Sequence, residues 1–112
     1  MSDYALETHE EGPLLLDFDD AELVPPKDPG TGGVVLRVRG QAPCMNMVVR
    51  LVPVRYIQQP EYWVVHVVGD LQGGVCLEAI RDYDEILAPS PLGKRGVVVV
   101  GESKRELLEN PQ

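Results

Sequence analysis

The sequence predicts an all-β protein: a single-domain antiparallel β-sandwich or small β-barrel of six or seven strands, ending in a short C-terminal helical turn. Three observations lead there. Aliphatic residues recur with period two or in short unbroken valine runs. Stretches rich in Gly, Pro, Asn and Asp separate those runs. No segment carries a sustained helical period.

The elements follow in chain order. Leu14–Phe18 suits a first strand, and Pro25, Pro26 and Pro29 impose an extended connector after it. Val34, Leu36 and Val38 alternate with Val35, Arg37 and Arg39, the pattern of a half-buried strand. Met45–Ile57 has apolar residues on both parities. Pro53 within it lacks a ladder donor, so it belongs at an edge, a bulge or the strand's departure from a sheet. Tyr62–Leu71 is the clearest strand, rich in aromatic and β-branched residues. Trp63, Val65, Val67 and Leu71 share one of its faces; Tyr62, Val64, His66 and Val68 share the other. Gln72-Gly73-Gly74 reads as a hairpin turn into Val75–Arg81. Val97–Val100, between two glycines, reads as a fully buried strand. Ser103 and Glu106 form a capping box for a helix over 104–109, which Asn110-Pro111 stops. Short connections favour antiparallel pairing throughout.

Charge divides the chain. Residues 1–24 hold eight acids and no Lys or Arg, whereas residues 25–112 hold ten acids and ten bases. The expected organisation is an acidic flexible leader over 1–12, a β domain over 13–103, and a helix and tail over 104–112. Residues 13–24 mix acids with Leu14, Leu15, Leu16, Phe18, Leu23 and Val24. That half is expected to dock on the body, where its carboxylates meet strand arginines. An immunoglobulin-type domain is excluded, because Trp63 follows Cys44 by 19 residues and precedes Cys76 by only 13.

Acids where a secretion signal carries bases, and no long apolar run, lead to the expectation of a cytoplasmic protein with no membrane partner. Cys44 and Cys76 are then expected as reduced, buried thiols, with a single bridge between neighbouring strands as the alternative in an oxidising compartment. A net charge of −8 and few aromatics argue against nucleic acid.

No assembled catalytic set is visible, and no cofactor is expected. Cys44, Met47, His66 and Cys76 offer soft ligands for copper or zinc, but their spacing lacks the paired ligands such sites use. A Cys–His nucleophilic pair is disfavoured, since a strand-borne thiol lacks a helix N-terminus to lower its pKa. The carboxylates from Asp17 to Glu22 lack the glycine and closing Glu of a calcium loop. The glycine-rich stretches are turns, not phosphate loops. Arg37 and Arg39 are candidates for binding an anion or the acidic leader.

The leading expectation is therefore a small non-enzymatic sandwich that binds another protein, as a subunit, inhibitor or immunity-type protein. The acidic leader would steer it toward a basic surface. A second copy is a further candidate partner, giving a homodimer. Tyr56, Tyr62 and Trp63 are the expected contact anchors, with core packing the competing role for Trp63. The competing class is a ligand- or soft-metal-binding barrel, or an enzyme, centred on His66 with Cys44 and Cys76.

Overall fold

The computed structural model describes residues 14–26 and 33–111. The acidic leader 1–12 and part of the proline connector lie outside the described residues. Eight strands and no helix make up the described fold. They are β1 (Leu14–Leu15), β2 (Asp20–Val24), β3 (Val35–Cys44), β4 (Met47–Pro53), β5 (Tyr62–Leu71), β6 (Glu78–Leu87), β7 (Gly96–Val100) and β8 (Arg105–Glu109). They form two packed sheets, so the expected all-β sandwich holds.

The larger sheet is built around β5. One edge of β5 pairs with β4. The other edge is shared: β7 takes Tyr62 to His66, and β1 takes Val68 and Gly69. β8 then pairs with β7. The smaller sheet has the order β2-β3-β6. Leu36 and Val38 from the small sheet meet Val65, Val67, Val97 and Val99 from the large one, all with 0% exposure. Leu16 and Phe18 join this core. The chain crosses there from β1 in one sheet to β2 in the other. The described part of that segment, 14–24, therefore docks, and Asp20 reaches Arg39 as an ion pair.

Three expectations are corrected. Residues 105–109 form a strand, not a helix. Their alternating exposure lets Leu108 face the core opposite Val97 while Leu107 points outward. The free edge of β7 outweighs the local capping signal, because so short a helix, over 104–109, has little stability of its own.

Second, Gln72-Gly73-Gly74 does not close a hairpin. β5 and β6 lie in different sheets. The turn wraps around Asn46, whose side-chain amide donates to the carbonyls of Gln72 and Val75, both at 2.6 Å. The Leu77 amide donates back to Asn46 Oδ1 at 3.0 Å. Gly73 and Gly74 supply the left-handed backbone, with φ of 92° and 79°.

Third, pairing is not wholly antiparallel: β7 runs parallel to β5. The chain leaves the large sheet after β5, forms β6 in the other layer, and returns in its original direction.

Pro53 ends β4, which pairs only with β5, so it occupies an edge as its missing donor requires. Cys44 and Cys76 are bridged, with Cα atoms 5.2 Å apart. The register shift between Ala42 and Cys44, together with the Asn46-centred turn, brings them together. This is the alternative expected for an oxidising compartment, in place of two buried thiols. No helix of the described residues is long and apolar enough to cross a membrane.

Candidate interaction surface

The two outer faces of the sandwich differ in chemistry. On the small sheet, register places Asp20, Arg39 and Asp84 in one cross-strand row, and Glu22, Arg37 and the exposed Ile86 in the next. Arg37 donates to both Asp84 oxygens, at 2.9 and 2.5 Å. Arg39 pairs with Asp20, and Gln41 donates to Asp82 at 3.1 Å. The Arg37 hydrogen bond holds the Asp84 carboxyl below its usual range and raises the guanidinium in turn. This face satisfies itself. Arg37 and Arg39, candidates for binding a foreign anion, already have carboxylates from this chain.

The outer face of the large sheet is apolar. Its middle row runs Val52, His66, Val100, Arg105 across β4, β5, β7 and β8. The next row holds Val64, Val98 and Leu107. On the other side of His66 lie Leu15, Val68 and Arg50, and beyond them Val48 and Asp70. Leu107 is 57% exposed, Val48 43% and Leu15 39%, whereas Val68 and Val98 between them are buried at 9% and 8%. Arg50 and Asp70 neutralise each other at 2.6 Å. At the lower corner the Tyr62 hydroxyl donates to Glu109, and Arg95 stacks over the Tyr62 ring at 5.4 Å. The bond to Glu109, followed by desolvation, pushes the phenol up from its ordinary value. An alternating strand needs only one apolar face to fill a core. The second apolar face on β5 and β7 is therefore not required by the sandwich.

The expected aromatic anchors separate. Tyr62 lies on the apolar outer face. Trp63 points the other way and packs against the core, with its Nε1 donating to the Val54 carbonyl at 2.8 Å. Tyr56 meets it edge to face, with centroids 5.1 Å apart. The two line an open cleft of about 710 Å³ with Arg55, Pro53, Pro89 and Pro91. Trp63 thus has the packing role weighed against the contact role.

The soft-ligand set does not converge. Cys44 and Cys76 are joined to each other, Met47 is buried in the core, and His66 lies on the outer face. Among the described residues no three His, Cys, Asp or Glu side chains are grouped as metal ligands.

Leu107 belongs to the surface but was not singled out by the sequence, and Val98, buried at 8% as expected for its strand, underlies it on the same face. The outward parity of Val98 shows only once β7 is seen beside β5. Leu107 was hidden by the helical reading, although Arg-Glu-Leu-Leu-Glu admits alternation. No family model, curated protein or solved structure matches the chain.

Proposed function

We propose that the protein is a non-enzymatic binding module that engages another protein through the outer face of its larger sheet. One observation carries this reading: that face is built of valine and leucine around His66 over four strands, whereas the opposite outer face is mostly charged, with two ion pairs, Glu22 and Asp82 beside the exposed Ile80 and Ile86 of β6. A contiguous exposed apolar patch rimmed by polar groups is the usual mark of an interface. Tyr62 at its corner supplies an aromatic contact. The acidic leader adds long-range attraction toward partners with basic surfaces. A cytoplasmic setting would hold Cys44 and Cys76 reduced; in this reading the bridge closes where the compartment is oxidising.

A photo-reactive amino acid introduced at Leu107, and separately at Asp82 on the opposite face, tests the reading in cells expressing the chain. The expected result is a discrete protein adduct from position 107 and none from position 82. Adducts of equal yield from both positions, or from neither, would contradict it.

A further inference from the structure

Building on that reading, we infer that the occupant of the apolar face is a second copy of this chain, docked face to face about a two-fold axis near His66.

Charge supports this occupant. The protein carries −8 overall, and the outer face of the small sheet has four acids (Asp20, Glu22, Asp82, Asp84) against two arginines (Arg37, Arg39). Two such faces repel. The outer face of the large sheet is instead nearly balanced, with Arg50, Arg105 and the corner Arg95 against Asp70 and Glu109. Its acids are already engaged, Asp70 by Arg50 and Glu109 by Tyr62. A basic partner would find no open carboxylate there. An identical, nearly balanced apolar face meets less repulsion than two small-sheet faces would, with Arg105 the middle-row charge that no carboxylate among the described residues pairs.

Edge-to-edge association is disfavoured by the same reasoning. β6 is a ten-residue edge strand paired only with β3. It carries Glu78, Asp82, Asp84 and Glu85 against Arg81 alone. Centred on Tyr83, an antiparallel β6 pair would set Asp82 opposite Asp84 of the second copy. Like charges directly opposite destabilise a ladder.

The area fits a reversible dimer. Four strands spaced by about 4.8 Å, each presenting about six residues at about 3.3 Å rise, give a face of about 20 by 20 Å. Two such corrugated faces remove about 1,000 Å² of accessible surface, the lower limit for a specific interface. His66 is the third of the five outward residues of β5, so it falls inside the contact whichever nearby axis is adopted.

Sedimentation equilibrium of the full chain over a wide concentration range tests this. The expected result is a monomer–dimer equilibrium that His66→Asp and Leu107→Glu each weaken at least about tenfold, the first by placing like charges across the axis and the second by burying an unpaired carboxylate in the contact. Ile80→Asp, at a 68% exposed position of β6, should leave it unchanged. Leu107→Glu alters an exposed side chain, so it stays informative if His66→Asp impairs folding. A chain that remains monomeric at every concentration overturns the inference. So does one that dimerises only after residues 1–13 are removed, which would assign the face to that segment. If a monomeric chain still yields adducts with another protein from position 107, the binding reading survives the loss of this inference. If those adducts are absent too, both fail.

Discussion

Asp17 holds Ser103 from 86 residues away in sequence, accepting the Ser103 amide at 2.7 Å and the Ser103 hydroxyl on its other oxygen. This contact ties the β1–β2 crossover to the β7–β8 turn. Lys104 reinforces it by donating to the Phe18 carbonyl at 2.8 Å and lying 4.5 Å from the centre of the Phe18 ring.

Those two Ser103 hydrogen bonds hold the Asp17 carboxyl below its ordinary value, as Arg37 does for Asp84. A lowered folded pKa contributes stability that is fully present above the unfolded value of about 3.9 and is lost as pH falls through the folded value. Urea midpoints should therefore fall on acidification below about pH 4. Asp17→Asn should lower the neutral-pH midpoint and flatten that acid dependence.

Tyr83 gives the opposite limb. Burial first, then the nearby carboxylates of Asp19, Asp17 and Glu85, pushes its phenol up to about 12. A raised folded pKa contributes stability that is present below the unfolded value and lost as pH rises toward the folded one. The native state should weaken between about pH 10 and 12. Tyr83→Phe should remove that part of the alkaline loss. The same change also deletes the 2.9 Å bond to the Asp17 carbonyl, at a cost of about 1 kcal/mol near neutrality.

Gly40 makes room for that tyrosine. A Cβ at position 40 would lie 2.6 Å from the Tyr83 hydroxyl oxygen and 3.0 Å from the Phe18 backbone. Neither neighbour retreats easily, because the hydroxyl is bonded and the Phe18 ring is buried. Gly40→Ala should destabilise by about 1–3 kcal/mol. Leu36→Ala, which empties a site with 0% exposure, should cost about 2–5 kcal/mol. Chemical denaturation checks both.

The Cys44–Cys76 bridge closes a loop between residues separated by 32 positions. Chain-entropy arguments assign such a crosslink about 3–4 kcal/mol. Reduction should lower the unfolding free energy by that amount, with no change in the monomer–dimer equilibrium, because neither cysteine lies on the apolar face. Thiol titration with and without reductant checks that the bridge is present.

The sandwich was legible because strand composition and turn punctuation agree along β3, β5 and β7. The face assignments of Trp63, Val65 and Val67 against Val64, His66 and Val68 also follow from parity alone. What lay beyond reach was pairing. Gly73 and Gly74 signal a turn, yet only Asn46, 26 residues before Gln72, decides that this turn crosses between sheets. The parallel neighbour of β5 is fixed by the β6 detour, not by any feature of Val97–Val100. Ser103 and Glu106 signal a helix start, but the open edge of β7 recruits those residues as a strand. The apolar surface inherits these gaps: its β5 residues were readable, while Val98, Val100 and Leu107 joined it only through long-range register.

The central claim is that protein covers the outer face of the larger sheet. Methyl NMR with a soluble paramagnetic cosolute tests it most directly, comparing dilute and concentrated samples. The account predicts that the methyl groups of Val64, Val100 and Leu107 lose cosolute broadening as concentration rises, while those of Ile80 and Ile86 on β6 do not. Equal broadening of all these methyls at every concentration, or protection confined to β6, would contradict it.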